Sequence, residues 1–203
     1  MIYKAIGFDY GGVIAGPTGS KFSEAICALF NITKEKFREV YFRHNTILND
    51  GDMTYTELWT IFAQEIGQPE KTEDLLKLVA EWPTHRINED VLELTQKLKN
   101  AGYKIGMLSN NNFANKEIML KGGLEKIFNP LLISSEIKAS KPWPEAYKIF
   151  AEKMGFPPEE IIFIDDGERN IINAREFGFT GIVFINYKSL IAELSDLGVK
   201  LEE

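Results

Sequence analysis

The sequence has 203 residues, of which 44% are hydrophobic and 26% charged, with 16 Gly and 8 Pro; these proportions exclude a disordered or fibrous chain and suit one large domain, or one domain carrying an insertion. A formal charge of -7 with no concentrated basic patch excludes nucleic acid as an expected partner, because the chain would repel a polyanion. Cys27 stands alone and excludes an internal disulfide, and with neither a basic leader nor an apolar run able to span a bilayer the chain reads as cytoplasmic, with no membrane partner.

In chain order, short apolar runs occur at residues 4–9, 104–109, 131–134, 161–165 and 181–185. Most are continuously apolar rather than alternating, which predicts strands of a parallel sheet covered on both faces. Helical spacing separates them: Val91, Leu92, Leu94, Thr95 and Leu98 form one stripe, and Ala146, Tyr147, Ile149, Phe150 and Met154 another, closed by Gly102 and Gly155. Strand and helix alternate, so the expected fold is a doubly wound, Rossmann-like α/β domain.

That alternation breaks after the first strand. Residues 18–82 carry only helical signals, at 20–30, 33–44, 54–67 and 72–81, and Thr54 with Glu57 makes a capping box. Four helices without a strand predict an inserted helical cap at 17–83, leaving 1–16 and 84–203 as the α/β core. Its expected hinges are Gly16-Pro17-Thr18-Gly19 and Trp82-Pro83-Thr84. Phe37, Tyr41, Trp59 and Phe62 fall at helical spacing and are assigned to cap packing rather than to a cofactor site, and Cys27 to a small buried filler. His44 and His85 are too few and too far apart for a zinc site. His44, Asn45, Asn49 and Asp50 are candidates for setting specificity, as polar residues between cap helices.

Chemistry concentrates at strand ends. The first strand closes in Asp9-Tyr10-Gly11-Gly12, where open α/β sheets bind ligands and where Gly11 and Gly12 let the backbone approach one closely. Another strand closes in the adjacent carboxylates Asp165 and Asp166, whose mutual repulsion a bound divalent cation would relieve. If the two strands pair, about 4.8 Å apart, Asp9 and Asp166 can reach one ion; hard oxygen ligands completed by water and substrate phosphate describe Mg²⁺. Ser109 and Asn110, ending a third run, offer donors for an anion. Lys141, just before a proline expected to begin a helix, could neutralise both a carboxylate and a transferring phosphoryl group.

Together these four motifs resemble the haloacid dehalogenase superfamily of phosphatases and related hydrolases, over nearly the whole chain and including a C1-type cap. The resemblance implies a five-stranded parallel core with the first strand beside the Asp165-Asp166 strand. It implies Asp9 as nucleophile, Ser109 as phosphoryl donor, Lys141 as charge neutraliser, and Mg²⁺ held by Asp9, the Gly11 carbonyl and Asp166 with Asp165 assisting. Asn170 would support the site from behind, and Asn110 is a further substrate contact.

One departure from the family pattern matters. Most phosphatases of the superfamily place a second aspartate two residues after the nucleophile as general acid and base, and here that position is Gly11, a deficit of about 10²–10⁴-fold. The resemblance leaves three enzyme branches: sugar-phosphate phosphatases, whose anomeric oxygen leaves easily; phosphonoacetaldehyde hydrolases, which need a cap lysine; and dehalogenases, which need no metal. The paired carboxylates favour phosphoryl chemistry, so the expectation is Mg²⁺-dependent hydrolysis of a small phosphorylated metabolite, a sugar phosphate first, with dehalogenase-like chemistry or a catalytically impaired binding protein as alternatives. A signalling receiver domain fits less well, since its acidic pair follows its first strand and it has no cap.

Overall fold

The computed structural model describes residues 2–16, 21–49, 53–82 and 86–201. The expected hinge residues Pro17, Thr18, Gly19, Pro83 and Thr84 lie outside them, as do Asp50 and His85, and so do the side chains of Asn45 and Asn49.

Five strands, β1 (Ala5–Phe8), β2 (Lys104–Ser109), β3 (Leu131–Ile133), β4 (Ile161–Asp165) and β5 (Thr180–Val183), form one parallel sheet in the order β3-β2-β1-β4-β5. Their unbroken apolarity has a direct cause. Ile6 and Phe8 of β1 join a buried cluster on one face with α5 (Glu89–Asn100) and α10 (Tyr187–Asp196), whereas Ala5 joins a second cluster on the other, with α8 (Pro144–Met154) and α9 (Glu168–Phe177). Two shorter helices, α6 (Phe113–Lys121) and α7 (Ser134–Ile137), follow β2 and β3.

Beneath the central strands the sheet gives way to α8. Gly7 and Gly106 are partners across β1 and β2, and a Cβ on either would come within 2.5 Å of a side chain, Phe150 in one case and Met154 in the other. Glycine is required there so that α8 can lie close against the sheet floor.

Four helices fill the insertion after β1: α1 (Lys21–Phe30), α2 (Lys34–Asn49), α3 (Tyr55–Ile66) and α4 (Thr72–Glu81). They have a core of their own, in which Ile26, Phe30, Trp59, Phe62 and Leu75 are fully buried and Cys27 is a small filler, as its setting predicts. Aromatic faces organise it: Phe37 stacks on Tyr41 and Tyr41 on Trp59, at centroid distances of 5.2 and 5.4 Å. The capping box forms, with the Glu57 amide donating to Thr54 Oγ1 at 3.2 Å and the Thr54 amide donating to Glu57 Oε2 at 2.8 Å.

Three local expectations are corrected. Helix α2 does not stop at His44 but runs to Asn49, so His44, Asn45 and Asn49 sit within a helix rather than between helices; just before the added residues, Arg43 and His44 bond to Glu65 of α3. Strand β5 spans Thr180–Val183, and Ile185, placed in that strand by its apolarity, is exposed beyond it. Helix α8 begins at Pro144, not at Pro142, because Trp143 keeps extended backbone as its N-cap.

Candidate active site

The site is assembled where three strands end on the same side of the sheet. Register pairs Phe8 with Ile164, and the Asp9 amide donates to the Ile164 carbonyl at 2.8 Å, so Asp9 and Asp165 emerge side by side. Ser109 ends the neighbouring β2 and is buried. Adjacency of the first and fourth strands, on which a shared ion depended, is therefore present.

Lys141 closes the gap between the two acids. Its Nζ donates to Asp9 Oδ1 at 2.9 Å and to Asp165 Oδ2 at 2.5 Å, with the lysine only 3% exposed and Asp165 fully buried. The Asp9 Oδ1 atom also accepts from the Tyr10 amide at 2.7 Å. Asp165 is fixed from behind: its Oδ1 accepts from the Gly167 amide at 2.7 Å and from Asn170 Nδ2 at 3.0 Å. Charges removed from water this far persist only when paired and hydrogen-bonded, and each of these is.

Asn110 proves to be a clamp on that lysine. Its Nδ2 donates to the Lys141 carbonyl at 2.7 Å, and its Oδ1 accepts from the Lys141 amide at 2.8 Å. Both polar ends of the side chain are engaged by the Lys141 main chain, while Asn110 also lines the cavity over the acids, where the sequence placed it as a substrate contact. The lysine is delivered by this pairing, and its peptide bond to Pro142 is cis, where sequence pattern suggested a helix start.

Electrostatics follow from burial. Loss of water pushes the Asp9 carboxyl up to about 6; the Lys141 charge opposes that rise, and the neighbouring Asp165 adds to it. For Lys141 burial works against the charged form, but Asp165 and Asp9 together outweigh it and hold the ammonium above the ordinary lysine range.

One oxygen from each of Asp9, Asp165 and Asp166 lies within 4.8 Å of the other two. Three carboxylates against one ammonium leave excess negative charge, and the donors are all hard oxygens, so the residues fit a divalent cation such as Mg²⁺. Asp165 accepts from Lys141, Gly167 and Asn170, and Asp9 and Asp166 stand beside it within reach of the same ion. Gly12 makes this possible: its φ is +74°, and a Cβ there would stand 2.2 Å from Asp166 Oδ2. Gly11 is different, since a Cβ on it would meet nothing within 4 Å. Packing does not force the missing aspartate to be missing.

A cavity of about 240 Å³ opens over these groups, lined from below by Asp9, Gly11, Ser109 and Lys141 and from above by Phe22 and Tyr55 of the cap. Sequence reasoning passed over Asn111 and Asn115. Asn115 Nδ2 donates to Asn111 Oδ1 at 2.5 Å and to the Tyr55 hydroxyl at 3.2 Å, which ties α6 of the core to α3 of the cap. The run Asn110-Asn111-Asn112 directly after a strand was the available signal.

Known proteins resemble the chain in the same terms. The family model for haloacid dehalogenase-like hydrolases matches residues 3–178. The chain is similar to (S)-2-haloacid dehalogenase 4A of Burkholderia cepacia, 31% identical over 94 residues, which are 46% of this chain and 41% of that protein. A phosphoglycolate phosphatase of Haemophilus influenzae is 28% identical over 112 residues, 53% of this chain and 50% of the relative. These matches span about half the length of each curated relative or less. Among solved structures, a HAD family enzyme from Bacteroides thetaiotaomicron in complex with magnesium and inorganic phosphate superimposes with a TM-score of 0.66 at 25% identity, over 93% of this chain and 98% of that one.

Proposed function

We infer the reaction from kinship and chemistry together: the chain belongs to the haloacid dehalogenase-like hydrolases, and within that family we propose that it is a Mg²⁺-dependent phosphatase acting on small phosphorylated metabolites. The observation that carries this reading is the convergence of Asp9, Asp165 and Asp166 on one point beside Lys141. Hydrolysis of a carbon–halogen bond has no need of a cation, whereas phosphoryl transfer gains most of its rate from neutralised oxygens. The magnesium and phosphate held by the Bacteroides relative support the same choice.

In this mechanism Asp9 attacks phosphorus in line, forming an aspartyl-phosphate as the bond to the leaving oxygen breaks. Water then attacks phosphorus, releasing phosphate and restoring the carboxylate. Lys141 serves twice: it holds Asp9 ionised against the upward push of burial, and it faces the phosphoryl oxygens with positive charge. Ser109 donates to the phosphoryl group from the end of β2. Asp9, Asp166 and the Gly11 carbonyl would hold Mg²⁺, with Asp165 assisting, and the ion supplies Lewis-acid neutralisation of the phosphoryl oxygens. With Gly11 in place of a general acid, the leaving group must depart without a strong proton donor. An anomeric sugar oxygen, the class the sequence suggested first, meets that requirement.

The test is a panel of phosphomonoesters assayed with and without Mg²⁺. Turnover that disappears in Asp9→Asn and on chelation is the expected result. Halide release from 2-haloacids in metal-free buffer would replace this reading with the dehalogenase one. Binding of Mg²⁺ and phosphate with no hydrolysis of any ester would identify an impaired binding protein.

A further inference from the structure

A second and larger hollow lies in the cap, directly above the catalytic cavity. Its volume is about 530 Å³, within the range of small-molecule sites. Among the described residues lining it, Phe22, Tyr41, Tyr55, Trp59 and Trp82 are aromatic and none is charged. The two hollows share walls: Phe22, Tyr55, Trp82 and Asn115 line both, and the Phe22 and Trp82 rings meet edge to face at 5.2 Å. A molecule with its phosphoryl group at Asp9 therefore has an apolar room beside it for the remainder.

Two of the residues bordering that room carry buried donors without acceptors. Among the described residues Trp59 Nε1 and Trp82 Nε1 are buried and have no hydrogen-bond partner, and the Trp59 side chain is only 1% exposed. Buried indole N–H groups ordinarily find a partner; neither Nε1 is exposed to the hollow, so the tryptophan rings, not their donors, border it. The cap aromatics assigned from sequence to packing alone thus have a second face: Trp59 stacks on Tyr41 within the cap core and also borders the hollow.

Gly11 points the same way independently. Lacking an acid two residues after Asp9, the site favours an oxygen that leaves readily as an anion, and a phenolic oxygen, with a pKa near 10, is far better than an alkoxide. Resting on the phosphatase reading, we propose that the substrates are phosphate esters of neutral, flat, mostly apolar ring systems, the ring lying in the cap hollow and its phenolic oxygen attached to phosphorus over Asp9. Hydroxyl-rich sugars suit this hollow less well than a flat ring, because Phe22, Trp59, Leu76, Val79, Ala80 and Trp82 give it mainly apolar surface.

The experiment varies ring size among phenols of similar acidity, so that intrinsic reactivity stays nearly constant. 2-Naphthyl phosphate should exceed phenyl phosphate in kcat/KM by about tenfold, through extra apolar burial, and should exceed glucose 1-phosphate by more. Ala80→Trp, an exposed position at the rim of the hollow, should erase the naphthyl preference while phenyl phosphate is still turned over. Equal rates for phenyl and naphthyl esters, or a preference for glucose 1-phosphate, would overturn the inference and leave the phosphatase reading standing. If no phosphomonoester is hydrolysed, the phosphatase reading fails alone, and the hollow is judged by quenching of tryptophan fluorescence with 2-naphthol: saturable quenching lost in Ala80→Trp supports a ring site, and no quenching overturns it.

Discussion

The two walls of the cleft are built on opposite plans. On the sheet side the central groups are fixed by charge and backbone: Lys141 is bonded to two carboxylates, its peptide groups to Asn110, and Asp165 to an amide and a side chain behind it. On the cap side the groups are aromatic, uncharged and in two cases unpartnered among the described residues. Position matters to within fractions of an ångström where bonds are made and broken, whereas recognition of an apolar body needs mainly shape and the exclusion of water. One wall is thus specified by directional bonds and the other by surface. A change on the first should disturb chemistry or stability sharply, and a change on the second should shift preference among substrates.

The strongest way to break this contrast is Lys141→Met. It leaves Asp9 and Asp165 buried and uncompensated, and should cost about 3–5 kcal/mol in urea unfolding measured with chelator present. Added Mg²⁺ should recover part of that loss by binding the folded form; a variant as stable as the parent without metal would show that the ammonium is not what holds the acids. Next comes Gly12→Ala, whose Cβ collides with Asp166. Mg²⁺ affinity, followed by calorimetric titration, should fall by about 10–100-fold, by analogy with the loss of groups that orient metal ligands, and unchanged affinity would remove Asp166 from the ligand set.

Cap substitutions should have smaller effects. Thr54→Ala removes the side-chain half of the capping box at the start of α3 and should lower stability by about 1 kcal/mol, with kcat for phenyl phosphate unchanged. Smallest of all is Arg43→Ala. Its partners Glu39 and Glu65 are partly exposed, and the loss should be at most about 0.5 kcal/mol and fade in high salt. If either change altered turnover as strongly as Gly12→Ala, the division of labour between the walls would be wrong.

Much of the sheet side was legible in sequence because its signals are local. Apolar runs ending in Asp9, Ser109 and Asp165 mark strand ends, and doubly wound topology brings such ends together. The Asn110 clamp was not legible, since it joins residues 31 apart through a side-chain amide, a pairing no periodicity reports. Helix α2 outran its expected end because residues 45–49 contain no glycine or proline to stop it. Helix α6 lacks a one-sided stripe: Phe113, Ile118 and Leu120 are exposed, so no amphipathic pattern announced it. The cap hollow was invisible for a deeper reason. Aromatic residues at helical spacing look the same whether their rings fill a core or line a void.

The Asn110 amide also changes how the sheet itself should be understood. A primary amide presents one donor and one acceptor in a plane, the same complement as a peptide group, and beyond the last paired residues of β2 and β3, Ser109 and Ile133, it offers that complement to the Lys141 main chain. The side chain acts as a surrogate rung, extending strand-like pairing to a segment that is not a strand. A shift at the tip of β2 would carry the Lys141 main chain with it, so the ladder of the fold and the placement of its key charge share a single mechanical unit.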